Sequence, residues 1–100
     1  MFAITSTENG EIFLTGRFDA SQVPKAEAVF DRVAKTSRVN FKSLDYISSA
    51  GLGVLLKTQK RLSESGHSLI LTHMNKLIRD VFRIARFDLV FRIEPEEKTS

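Results

Sequence analysis

The chain has no cysteine and no tryptophan, a single tyrosine, and two prolines in 100 residues. Without cysteine it has no disulfide and no thiolate metal ligand, which excludes disulfide-stapled scaffolds and cysteine zinc sites. Its two histidines, His67 and His73, fit neither H-x-x-x-H nor H-E-x-x-H spacing, so no metal or other cofactor is expected. No apolar run approaches the roughly 20 residues of a membrane helix. The opening stretch MFAITSTENGEIFLTG has no basic residue ahead of an apolar core and is broken by Thr7, Glu8, Asn9 and Gly10. A secretory signal is therefore not expected, and the expected address is cytoplasmic, away from membranes. The scarcity of aromatic stacking residues, with one Tyr and no Trp, also argues against nucleic acid as a direct partner.

What is present is balanced. Hydrophobic residues make up 42% and charged residues 27%, the mixture of an ordinary globular domain with one core. The net charge is +3, but the 15 basic residues are spread from Arg17 to Lys98 with acids among them, which describes a solvated mixed surface. A single domain over residues 1–94 is expected, followed by a disordered acidic tail, 95–100.

Periodicity orders the elements. Phe2 to Thr5 and Glu11 to Thr15 are β-prone, and Asn9-Gly10 between them suits a hairpin turn. Ala26, Val29, Phe30 and Val33 follow the i, i+3, i+4, i+7 spacing of a helix over Ser21 to Lys35, with Pro24 in its first turn. Arg38 to Ile47 alternates only in part and predicts a strand followed by an extended link. Gly51 to Glu64 is helical, with Leu52, Leu55, Leu56 and Leu62 on one side, and Gly66 is a left-handed cap. His67 to Thr72 predicts a buried strand. Asn75 caps a third helix with the apolar face Leu77, Ile78, Val81, Phe82 and Ala85, and Leu89 to Ile93 predicts a last strand. Strands alternating with helices imply an α/β domain: a mixed sheet of four to five strands with three or more helices packed against it.

Few residues carry chemistry. The serine pair Ser48-Ser49 stands where strand gives way to helix, but the hydrolase elbow needs glycines two places before and after its serine, and Tyr46 and Ile47 break that pattern. Gly51 and Gly53 begin a G-x-G, yet Leu56 stands where a dinucleotide fingerprint needs its third glycine. Arg79, Arg83 and Arg86 share a face of the third helix that could hold phosphate, and equally describe its solvated side. The serines themselves suit a helix start: a hydroxyl there caps unpaired N–H groups, and a phosphate there meets a favourable field.

Three stretches, LTGRFDASQ, VNFKSLDYISSAGLGVLL and SGHSLILTHMNKLIRDVFRIARFDLVFRI, resemble the STAS domain of sulfate transporters and bacterial anti-sigma factor antagonists. The resemblance runs from about Ile12 to Ile93 and implies that fold. In the antagonists the central motif is D-S-[ST]-G-L, whose first serine is phosphorylated by a partner that is both anti-sigma factor and serine kinase. It implies Ser49 as phosphoacceptor, with Ser48, in the place of the motif Asp, as the alternative. Ala50 and Gly51 follow the motif, and Leu52 and Gly53 continue it. Asp19 matches an acidic residue near the phosphorylation loop, and Asn40 stands where an Asp commonly ends the preceding strand. Asp19, Asn40 and residues Ser48 to Gly53 are thus the implied partner-binding set. The implied function is a non-enzymatic switch that binds an anti-sigma factor serine kinase when unphosphorylated, releases a sigma factor, and is reset by a serine phosphatase. The alternatives are a STAS scaffold or transport-complex subunit that is not phosphorylated, and a nucleotide- or small-molecule-sensing module.

Overall fold

The computed structural model describes residues 1–94, and the expected acidic tail lies outside the described residues. Strands β1 (Ala3–Ser6) and β2 (Ile12–Phe18) form the expected hairpin, with Gly10 at φ +85° in its turn. A 3-10 turn, Ala20–Gln22, leads into α1 (Val23–Phe30), followed by β3 (Ser37–Ile47), α2 (Ser49–Ser63), β4 (Leu69–Thr72) and α3 (Lys76–Ile84). A second 3-10 turn, Phe87–Leu89, precedes the two-residue β5 (Arg92–Ile93). The sheet order is β1-β2-β3-β4-β5, antiparallel at β1 and β2 and parallel elsewhere.

Each crossover steps to the next strand in the same direction, so right-handed connections lay all three helices on one face of the sheet. That face carries Ile12, Leu14, Val39, Leu69 and Leu71, all fully buried. Phe13, Thr15, Arg38, Ile70 and Arg92 alternate onto the other face and are half-buried or exposed. Among the described residues no helix is long and apolar enough to cross a membrane.

Strand β3 shows why its sequence alternates only in part. It is one strand of 11 residues, with no separate link. While β2 advances from Phe13 to Thr15, β3 advances from Asn40 to Ser43; while β2 advances from Gly16 to Arg17, β3 advances from Leu44 to Tyr46. Each extra residue shifts the alternation by one, so Phe41, Leu44 and Ile47 all reach the core despite spacings of three. At the first irregularity the Asn40 side chain accepts a hydrogen bond from the Lys42 N–H (2.9 Å) and donates to a Glu11 carboxylate oxygen (3.3 Å). Asn40 is 7% exposed and lies within the strand, flanked by Phe13 and Thr72. The resemblance implies a place at the strand's end beside the serines; in the structure Asn40 lies toward the start of β3, away from Ser48.

Restoring an acid at this position sets a carboxylate against Glu11. Asn40→Asp is expected to destabilise by about 1–3 kcal/mol at neutral pH, the cost of a buried polar contact turned unfavourable. A carboxyl crowded by a like charge titrates above its unfolded value, so the penalty is absent in acid and grows as pH rises past the ordinary carboxylate range. Urea titrations of variant and parent at acid and neutral pH check this, and parallel stability curves would refute it.

The helix ends differ from expectation for local reasons. Helix α1 stops at Phe30, well before Lys35, and the Arg61 guanidinium of α2 caps its end, donating to the carbonyls of Phe30 (2.9 Å) and Val33 (2.8 Å). Val33 still packs on the core, from the loop. In place of a strand from Leu89, the chain makes the 3-10 turn because Phe87 and Phe91 both return to Phe82. Their ring centroids lie 6.3 and 5.7 Å from it, and Phe41 meets the same ring edge-on at 5.9 Å. An extended strand would separate residues four apart by about 13 Å.

Candidate functional site

Phe18 and Ile47, the last residues of β2 and β3, are register partners in parallel strands, so the loops that follow leave the sheet side by side. The carboxyl ends of parallel strands are where open α/β sheets place their sites. Ser48 joins the two loops. Its N–H donates to the Phe18 carbonyl (2.9 Å), its hydroxyl accepts from the Gly51 N–H (3.2 Å), and its carbonyl accepts from the Leu52 N–H (2.9 Å). With extended backbone (φ −87°, ψ 171°) it is the N-cap of α2, as expected of a serine in an Asp's place.

Ser49 is the first residue of α2 and is exposed. Ala50 is half-buried, Leu52 buried and Gly53 exposed with open space around it. Gly51 is the tight point: a Cβ there would lie 2.9 Å from Ile47 Cγ1, 3.0 Å from the Phe18 carbonyl oxygen and 3.1 Å from the Phe18 ring. The first turn of α2 is thus pressed against the ends of both strands. Gly51→Ala is expected to destabilise by about 1–3 kcal/mol, the usual overpacking cost. The urea midpoint reads this directly, and a gain in stability would show that the strand ends have room.

Asp19 begins the neighbouring loop and caps the first 3-10 turn, accepting from the Ser21 N–H (3.1 Å) and the Ser21 hydroxyl (2.6 Å). The Ser21 hydroxyl bond holds its carboxyl below the usual range against desolvation, assisted by the Ser21 N–H and the Arg17 charge. A depressed acid contributes above its unfolded pKa, so this contribution is lost as pH falls through the lowered value. Beside it the Arg17 guanidinium lies 4.2 Å from the Tyr46 ring centroid. This cation–π pair follows from the Arg17–Tyr46 register and has no signature in either residue's own segment. Of the implied partner-binding set, Asp19 and Ser48 to Gly53 are brought together, and Asn40 is not.

Among the described residues no histidine contacts the serines. His67 is paired with the Thr36 hydroxyl and His73 with that of Thr72. Nor does any group of three His, Asp or Glu side chains among them converge as a metal site. What the arrangement offers is an exposed hydroxyl on the first turn of a helix. One turn further, Gly53, Leu56, Lys57, Lys60, Arg61 and Glu64 line a shallow groove of about 380 Å³ along α2.

Comparison with known proteins places the chain in a family. The chain is 38% identical over 74 residues to BtrV of Bordetella bronchiseptica, a protein named as an anti-sigma factor antagonist, covering 74% of this chain and 58% of that one. The chain therefore spans little more than half the length of that relative. A STAS-domain containing protein of Pseudomonas aeruginosa is 27% identical over 96 residues, covering 91% of this chain and 95% of its own. The structure of the anti-sigma factor antagonist SpoIIAA in its unphosphorylated form superposes with a TM-score of 0.70 at 18% identity, over 97% of this chain and 90% of that one, which shows a shared fold. A family profile described as "Mlab, STAS domain" matches residues 3–92, nearly the whole described structure, and the chain belongs to the STAS domain family.

Proposed function

We propose that this protein is an anti-sigma factor antagonist whose binding state is set by phosphorylation of Ser49. The observation that carries the reading is the division of labour between two adjacent hydroxyls: Ser48 is engaged as cap, while Ser49 is exposed on the first helical turn. A phosphate of about −1.5 to −2 charge on Ser49 would sit in the favourable field of the α2 N-terminus, so modification leaves the fold intact. Its effect falls on a partner. Unphosphorylated, the Asp19 loop, the Ser48–Ser49 loop and the basic groove of α2 form the surface that binds an anti-sigma factor acting as a serine kinase, freeing its sigma factor. Phosphorylation places a dianion within that interface, and a serine phosphatase restores binding. The domain itself performs no catalysis and acts in the cytoplasm.

Incubation with host lysate and ATP, followed by intact-mass measurement, tests the assignment. One phosphate is expected on the parent and on Ser48→Ala, and none on Ser49→Ala. Failure of the parent to gain phosphate, or a Ser49→Ala protein modified like the parent, would sink it.

A further inference from the structure

The amino ends of β2 and β3 carry another concavity, separated from the Ser49 loop by the length of the seven-residue β2, about 20 Å. After α1 stops at Phe30 the chain crosses to β3 as a loop, and between that loop and the β1–β2 hairpin lies a cavity of about 390 Å³. This is the small end of the range for ligand sites, about 300–1,000 Å³. Ile12, Val29 and Val33 give it an aliphatic floor, and Ser6 lines its hairpin side. Both walls are held by bonds within the protein. On the loop side Arg61 donates to the carbonyls of Phe30 and Val33, and the Ser37 hydroxyl donates to the Lys35 carbonyl (3.0 Å). On the hairpin side the Thr7 hydroxyl accepts from the Glu11 N–H (3.2 Å) and the Thr7 carbonyl from the Gly10 N–H (2.9 Å). A preformed cavity of this kind spares a ligand the cost of ordering its walls.

The lining narrows the ligand. Arg32 and Lys35 line the cavity, and the described residues around it include no acid and no aromatic ring. The ion pairs among the described residues join Arg38 to Glu94, Lys57 to Glu27, and Lys76 and Arg83 to Asp80, so neither Arg32 nor Lys35 is neutralised in this way. Two unpaired cations beside an aliphatic floor suit an anionic head on a compact hydrocarbon body. The arginine fork and the lysine ammonium meet the oxygens of the head, and the floor takes the body out of water. A nucleotide fits less well, because its base finds no ring to stack on. A bare inorganic anion would leave the floor wet. The chain's own residues 95–100, PEEKTS, offer carboxylates but no large apolar side chain for the floor.

We infer that this cavity binds a small organic anion, a carboxylate or phosphate head on a short aliphatic chain, with Arg32 and Lys35 holding the head and Ile12, Val29 and Val33 covering the chain.

Amide-resolved NMR titration of the protein with hexanoate and with butyl phosphate tests the site. Saturable shifts are expected with at least one of them, centred on Gly10, Ile12 and residues 32–37 and absent from Ser49 to Gly53. Hexanamide and inorganic phosphate each lack one half of the recognised ligand and should bind roughly tenfold or more weakly, as should either probe to the double variant Arg32→Gln, Lys35→Gln. Both side chains are exposed, so the variant should keep the parent's thermal midpoint. The comparison with hexanamide and inorganic phosphate needs only the parent protein. Any of four results would overturn the inference: no saturable shift with either probe, shifts centred elsewhere, hexanamide or inorganic phosphate bound as tightly as the probes, or unchanged affinity in the double variant.

Discussion

Replacing Ser49 by glutamate is expected to weaken binding to the proposed anti-sigma factor kinase by ~100-fold or more, while Ser49→Ala leaves it within a few-fold. The side chain is exposed and serves no capping role, so neither change should disturb the fold. A carboxylate on the first turn of α2 is if anything favourable to the free protein, by about 0.3–1 kcal/mol. The loss therefore belongs to the complex. An unpaired carboxylate desolvated in an interface costs about 3–5 kcal/mol, and 2.7 kcal/mol already corresponds to about a hundredfold in Kd. Glutamate carries one charge where phosphate carries nearly two, so it gives the smaller effect of the two. Calorimetric titration of parent, Ser49→Ala and Ser49→Glu against the purified kinase measures it. If the glutamate variant binds like the parent, Ser49 lies outside the interface.

On stability the largest loss is expected at Phe82. Its ring is fully buried and meets Phe41, Phe87 and Phe91 edge-on, each with centroids within 6.3 Å. Phe82→Ala is expected to cost about 3–5 kcal/mol, the range for emptying an aromatic site in a core. In a domain of this size that lowers Tm by on the order of 15–30 °C. The loss is not confined to α3, because the ring joins that helix to β3 and to the turn before β5. Strand β5 has only two residues in the sheet, so amide exchange there should rise more than in β2 or β3. Urea unfolding and hydrogen exchange read both effects, and a loss below about 1 kcal/mol would mean the neighbouring rings close the gap.

Much of this was legible in the chain. The order of strands and helices, the caps at Ser48 and Asn75, and the left-handed Gly66 follow from local pattern and turn chemistry, and all are present. What failed to show was anything set by a neighbour. The end of α1 is capped by an arginine about thirty residues away, and the phase of β3 is set by bulges that a period of two cannot represent. Asn40, read as standing for a motif acid, supports the backbone at Lys42, a role that only the bulge reveals. Leu77, exposed in the structure, counted toward a core face because periodicity measures the width of an apolar arc and cannot tell which part of it is covered. At the candidate site, the place of Ser49 and Gly51 at the start of a helix was readable from local pattern, while the Arg17–Tyr46 pair needed the register of two strands.

The capping of α2 by Ser48, with Ser49 left idle beside it, bears finally on time. A switch that must refold to change state carries its own relaxation, and its response is no faster than that step. Here the hydroxyl proposed for modification holds nothing in place, so adding or removing a phosphate leaves the backbone where it was. Under the proposed switch the protein would contribute no delay of its own, and the lag between signal and response would be set by how fast the proposed kinase and phosphatase turn over.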